Sequence, residues 1–288
     1  MTLPATLLLA AALVAPAQNL TAPQRPTFDV ASVKPCKDGS EPGNLEFLPG
    51  RLNLGCLPLI RLISMAYGEN VDGRWNWFPM KTIEGGPSWI QWTMPGSNEY
   101  AIDARAAGAS VEMVKGPMFR ALLEDRFQLK LRRETRQVRV YALTVAKGSP
   151  KLKPFDGSCA RWDISPQEPA TAQLPSCTVS NTGRGYTRVL DMRGITVSTF
   201  AARVGQRAQE LGDLDGPIID KTELSGSFDV RLEYAFDPIG GATTQTEPPA
   251  NVPSLFNALQ EQLGLRLERS IGPRDFLVIE HVERPSEN

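Results

Sequence analysis

Histidine is almost missing from this chain: among 288 residues there is one, His281. A Ser, Cys or Thr nucleophile activated through imidazole needs such a base beside it. His281 lies in the alternating run LVIEHVE, where its spacing from Ile279 predicts a packed or rim position on a strand rather than a triad. No G-x-S-x-G elbow is present, and no serine stands three residues before any lysine, so a serine acyl-enzyme has no support. The four cysteines show no C-x-x-C spacing, and with a single histidine a tetrahedral zinc site lacks ligands. No metal or cofactor is expected. Beyond the N-terminal leader, no apolar run approaches the ~20 residues needed to cross a bilayer. The net charge of −1 supplies no global field for nucleic acid or an anionic surface.

What is present begins with MTLPATLLLAAALVAPAQ, an apolar run from Leu7 to Val14 followed by Ala15-Pro16-Ala17. That is the length and A-x-A ending of a secretory signal peptide, expected over residues 1–17 with cleavage after Ala17; an uncleaved anchor is the competing reading. No Cys follows it, so a lipid anchor is not expected. Export, periplasmic or extracellular, makes disulfides the default for Cys36, Cys56, Cys159 and Cys177. Of three possible pairings, Cys36–Cys56 and Cys159–Cys177 are preferred, because each closes a short loop rich in Pro, Gly and Ser. On the chain-entropy argument each such loop contributes about 3 kcal/mol.

Alternation and 3.6-residue periodicity predict an ordered series of elements. Strands are expected at 28–35 and around Leu52 and Leu54, then a helix over 57–67 and a strand at 99–106. A helix at 117–127 precedes two strands, 128–134 and 138–146, joined as a hairpin. The second half repeats this: strand 187–192, helix 196–211, strands 217–220 and 226–234, helix 253–263, strands 265–270 and 275–283. The repetition extends to individual positions. At an offset of 138, Leu52, Leu54, Leu57, Leu59 and Leu62 fall on Leu190, Met192, Ile195, Val197 and Phe200. Gly86-Pro87 matches Gly216-Pro217; Tyr100, Ile102 and Ala104 match Phe228, Val230 and Leu232. Phe127, Leu129, Leu131 and Arg133 match Leu263, Leu265, Leu267 and Arg269. The expectation is an α+β fold of two duplicated β-α-β-β-α-β-β modules, 28–150 and 186–288, separated by a disulfide-bearing linker at 151–185. Alternating strands suit mostly antiparallel sheets with helices on one face.

Two surfaces stand out as binding candidates. Four of the five tryptophans, with Phe78, fall between 75 and 92. Aromatic faces at Trp75, Trp77, Phe78 and Trp92 suit stacking on sugars, peptides or other flat ligands, with packing between the modules as the competing role. Trp89 aligns with Ile219, which predicts a core position in both copies. The second surface is the run Lys130, Arg132, Arg133, Arg136 and Arg139, either an anion-binding or docking strip or a solvated sheet face. Carboxylates are plentiful (Glu84, Asp103, Glu124, Asp125, Asp220, Glu223, Asp229, Glu233), but spacing alone places no two of them across a cleft. Asp213-Leu-Asp215-Gly216 has the look of a calcium loop, yet the position for a bidentate Glu falls on Leu224.

The blocks FDVASVKP, LIRLISMAYG, GGPSW, YAIDARA and LLEDRFQLKLRRETRQVRVYALTVAKGSPKLKP, then GPIIDKTELSGSFDVRLEY and LQEQLGLRLERSIGPRDFLVIEHVERPSEN, run in one order through residues 28–288. In these blocks the chain resembles a soil-associated, Solibacter-type family of uncharacterised exported proteins expanded in acidobacteria. The resemblance implies no catalytic residues. A related domain occurs outside the membrane on BlaR-like zinc metallopeptidase sensors, which implies sensing or binding by analogy. This chain lacks their H-E-x-x-H motif. The strand-then-helix start of each half is also loosely similar to short N-terminal modules of secretins and TonB-dependent receptors. The function expected is exported, non-catalytic binding of a ligand or envelope protein. The alternative is a secreted hydrolase acting on polysaccharide or cell-wall material through a carboxylate pair.

Overall fold

The computed structural model of the chain describes residues 25–37, 43–71, 74–91, 98–157, 160–161, 176–177, 179–184, 187–235 and 251–285. The leader at 1–17, Trp92, Cys159 and the 240–250 linker lie outside these, as does the side chain of Cys177.

In the first half, strands β1 (Val30–Pro35), β2 (Leu45–Leu48), β3 (Arg51–Pro58) and β7 (Glu99–Arg105) form an antiparallel sheet in the order β1-β7-β3-β2. Alternation in β3 and β7 sends Leu52, Leu54, Tyr100, Ile102 and Ala104 to one buried face. Pro58 ends β3 in an extended conformation, and helix α1 (Leu59–Ala66) begins at the next residue. Seven of its eight residues are buried. The next helix starts earlier than the periodicity predicts. Ser110 caps it by accepting from the Met113 amide, so α2 (Val111–Met113) leads through a π-type turn, Val114–Met118, into α3 (Phe119–Arg126). Pro117, read from the sequence as the start, sits inside that turn, where a missing N–H is accommodated by the widened backbone.

The second half builds the same kind of sheet. Strands β9 (Lys153–Pro154), β12 (Val179–Arg184), β13 (Thr187–Ile195) and β15 (Phe228–Ala235) take the order β12-β13-β15-β9. A parallel pair, β10 (Ala160–Arg161) and β11 (Ser176–Cys177), lies in the connection. Helix α4 (Val197–Leu211) is capped by Thr196 and ends on Gly212 at φ 86°; α5 (Leu255–Leu263) is capped by Ser254 and ends on Gly264 at φ 65°.

Between the two sheets lies a third, ordered β14 (Ile218–Asp220), β8 (Lys130–Val145), β16 (Leu265–His281), β6 (Ile83–Gly85). Here the structure corrects the sequence reading. The expected hairpin 128–134/138–146 is one continuous 16-residue strand, and 265–270/275–283 is one 17-residue strand. Glu134-Thr135-Arg136-Gln137 holds no Gly, Pro, Asn or Asp to make a tight turn. Each strand instead supplies the other's backbone partners from Leu265↔Val145 through His281↔Lys130. Each half therefore ends in one strand, not two.

These long strands join two hydrophobic cores. One contains Leu52, Ile63, Phe119 and Phe127 and is completed by Leu277 and Ile279 from the far end of β16. The other contains Phe200, Val204, Leu232 and Leu259 and takes in Tyr141 and Leu143 from the far end of β8. The fold is α+β with mostly antiparallel sheets.

The registers match position for position. Leu52 pairs with Ala104, Leu54 with Ile102 and Leu57 with Tyr100; Leu190 pairs with Leu232, Met192 with Val230 and Ile195 with Phe228. The bulge falls between Leu54 and Leu57 in one and between Met192 and Ile195 in the other. One matched block does not hold. Gly86-Pro87 follows β6, whereas Gly216-Pro217 precedes β14, so Trp89 is not the counterpart of Ile219. Ile219 pairs with Ala142 in the central sheet, the place that Glu84 takes opposite Val278.

Candidate functional site

A cleft of about 600 Å³ opens where the first half meets α4. One wall is the segment from Tyr67 to Lys81, which carries the short hairpin β4 (Glu69–Val71) and β5 (Arg74–Asn76). Ser64 on α1 holds this wall in place. Its buried hydroxyl donates to the Phe78 carbonyl at 2.6 Å, and its carbonyl accepts from the Phe78 amide at 2.8 Å. Trp77, Phe78, Pro79 and Met80 are thereby set along the cleft. The Arg61 guanidinium lies 4.3 Å from the centre of the Trp77 ring.

The opposite wall is one side of α4, from which Ala202, Arg203, Gln206 and Gln209 face the cleft. The other side, with Phe200, Ala201, Val204 and Ala208, is buried in the second core. Gly205 brings α4 close to β14: a Cβ there would stand 2.8 Å from the Ile218 amide nitrogen. Pro217, Ile218 and Ile219 with Pro273, Arg274 and Asp275 form the floor. Two bonds cross to Gln209, from Lys81 Nζ to its carbonyl at 2.5 Å and from Arg274 to its Oε1 at 3.1 Å.

The cleft's polar groups are Glu69, Asn76, Lys81, Arg203, Gln206, Gln209, Arg274 and Asp275, set into a lining that is apolar over most of its surface. Arg203 Nε and Trp77 Nε1 are buried donors with no acceptor among the described residues. Burial lowers the pKa of both Arg203 and Arg274, the sign of cations held partly out of water. At the rim, Glu69 and Asp275 both face Arg133, at 2.6 and 3.2 Å. Asp275 also accepts from Thr135 at 2.6 Å. Size and a mostly apolar surface with polar side chains placed in it are what a small-molecule site presents.

The aromatic block divides. Trp77 and Phe78 line the cleft; Trp92 lies outside the described residues. Trp75 is not among the residues lining this cleft, and its indole donates to the Met65 carbonyl at 3.0 Å. Its ring fills the space over Gly116, where a Cβ would approach to 2.9 Å. Trp89 is half-buried and carries Arg284 5.0 Å from its ring centre.

The basic strip faces acids along β8. Arg132 reaches Glu134 and Glu280, Arg133 reaches Glu69 and Asp275, and Arg136 reaches Glu84 and Glu134. Lys130 stands opposite His281, which pairs with Glu283 at 2.9 Å. Arg139 is highly exposed, 3.8 Å from Asp215, and lines a second concavity of about 580 Å³ with Arg269. Asp215 also accepts from the Tyr141 hydroxyl at 2.8 Å, which lowers the pKa of its carboxyl. Of the other carboxylates, Asp103 lies near Arg51 and Arg105, and Glu124 and Asp125 hold Arg25. Asp220 accepts from the Thr222 amide and Asp229 from the Gly194 amide. Cys36 and Cys56 form a disulfide.

Arg203, Arg274 and Gln209 were not legible as site residues. Arg203 and Gln209 read as the polar side of an amphipathic helix, and Arg274 as one more charge beyond a Gly-Pro pair. Only the meeting of α4 with the Trp77 segment brings them together.

Fold and cleft thus define a class: an α+β protein of two antiparallel sheets joined by a shared central sheet, with an apolar cleft at the junction. A family of proteins of unknown function (DUF3738) matches residues 61–282, and the chain belongs to that family. No curated protein and no solved structure matches it. Among the described residues, no helix is long and apolar enough to cross a membrane.

Proposed function

We propose that this is an exported, non-catalytic binding protein whose ligand occupies the cleft between the Trp77 segment and α4. The cleft itself supports this: two aromatic side chains, apolar floor residues and the side chains of Arg203 and Arg274 line one concavity of ligand size. The Cys36–Cys56 disulfide fits an oxidising compartment, and residues 1–17 would serve as the leader. Of the basic run on β8, Arg139 serves as a second, peripheral docking point, where it lines a concavity with Arg269. The matched registers favour an origin of the two halves by duplication.

The test is titration with a neutral apolar dye such as Nile red, followed by its fluorescence. One molecule should bind per chain, and Ala202→Trp, which fills the cleft from α4, should abolish binding while the fold persists. Undiminished binding to the filled variant would overturn the assignment. The hydrolase alternative rests on Glu69 and Asp275, the carboxylates at the cleft rim. Turnover of a polysaccharide that is lost in both Glu69→Gln and Asp275→Asn would establish it instead.

A further inference from the structure

The cleft's charges specify the ligand's chemistry, on the reading that the cleft binds a ligand at all. Three cationic side chains line it, Lys81, Arg203 and Arg274, against two carboxylates, Glu69 and Asp275. Both carboxylates are already engaged by Arg133. Lys81 is committed to the Gln209 carbonyl, and among the described residues Arg274 bonds the neutral amide of Gln209. Among the described residues neither Arg203 nor Arg274 has a carboxylate partner, and Arg203 Nε is buried without an acceptor. Positive charge at the α4 side therefore has no anionic partner there, and partial burial makes such a cation costly. An anion arriving there would relieve that cost. A guanidinium presents planar paired donors that match a carboxylate. The apolar side chains of Trp77, Phe78, Met80 and Ile219 beside these arginines suit an anion with an organic body rather than a free inorganic one.

We propose that the cleft takes an amphipathic organic monoanion, with its carboxylate held by Arg203 and Arg274 and its apolar body against Trp77, Phe78, Met80 and Ile219. The burial that depresses both arginines' pKa values is in keeping with this, since a bound anion would reverse it.

The experiment is isothermal titration of the purified chain with decanoate and with decan-1-ol, each below its aggregation limit. The two probes share an apolar body and differ in the head. Decanoate should bind at least about tenfold more tightly, the margin of one charge-assisted hydrogen-bonded pair. The preference should fall to within about threefold in Arg203→Gln/Arg274→Gln, with decanol binding retained. Equal affinity for both probes would overturn the head-group assignment and leave the cleft reading standing. Binding of neither probe, with Nile red also unbound, would overturn both. The comparison on the unmodified chain decides the matter even if the double variant does not fold.

Discussion

Trp75 and Trp77 stand two residues apart and divide support from contact. Trp75 anchors the hairpin through Met65 and packs on Gly116, so Trp75→Ala should cost about 3–5 kcal/mol in urea unfolding. Its affinity for the neutral dye, corrected for the folded fraction, should change little. Trp77→Ala should reverse the pattern, weakening the dye by about tenfold, as the loss of an aromatic contact in a pocket does. Equal effects on stability and affinity in both variants would show that the two rings are not separable. Tyrosines supply a second residue-scale prediction. Burial, and then the charge of Asp213, push the Tyr234 hydroxyl up to about 12, opposed by Arg207 and Arg188. Burial also raises Tyr67, with Glu124 adding to it, and Tyr100. The unfolded chain releases these protons near pH 10 while the folded chain keeps them, so the stability they contribute is full below about pH 10. It falls as pH rises toward 12. The urea midpoint should drop across that interval, and Tyr234→Phe should flatten part of the drop.

The elements owe their placement to partners outside themselves. Strand β3 passes into α1 without a loop, and the Cys36–Cys56 bridge ties its end to the end of β1 across a separation of 20 residues. Reduction, or Cys36→Ser with Cys56→Ser, should therefore cost about 3 kcal/mol by releasing that loop in the unfolded chain. Denaturant melts with and without reductant measure it, and an unchanged midpoint would remove the bridge from the stability account. The β8–β16 ladder is the other element-scale feature. Thr135 and Arg136 read as a turn because charge and polarity interrupt the apolar alternation there. They remain extended because Asp275 and Arg274 stand opposite them in the ladder. A local signal for a turn was too weak to outweigh continuous pairing.

At the scale of the molecule, the two cores are interlocked. Each is closed by the end of a long strand from the other half, Leu277 and Ile279 in one case, Tyr141 and Leu143 in the other. A fragment of residues 25–150 lacks the strand that covers Leu131 and Ile83, and should show no cooperative thermal transition by circular dichroism. Co-expression with 151–285 should restore one. A cooperative melt of the fragment alone would show that the halves are independent domains. The same crossing explains where the cleft lies. β14 and β6 attach to opposite edges of the central sheet, and α4 packs over β14. Among the described residues, the wall formed by Trp77 has no counterpart in the second half, and this cleft lies on the β14 side of the central sheet.

Local pattern was sufficient for much of this architecture. Period-2 runs at Leu52–Leu54 and Tyr100–Ala104, and their counterparts at Leu190–Met192 and Phe228–Leu232, determined which residues face the cores, because a strand's alternation and its burial are one constraint. The amphipathic stripes and caps of α4 and α5 were equally local. The disulfide Cys36–Cys56 followed from a short loop. What the chain could not disclose by itself was anything that depends on residues distant in sequence meeting in space. The Gly-Pro match misled because a dipeptide recurs easily, whereas strand pairing is set by the whole ladder. The cleft depended most on tertiary structure. Trp77, Arg203 and Arg274 belong to three separate segments, and their chemistry arises only where packing of α4 on β14 brings the three to one cleft and takes the two arginines partly out of water.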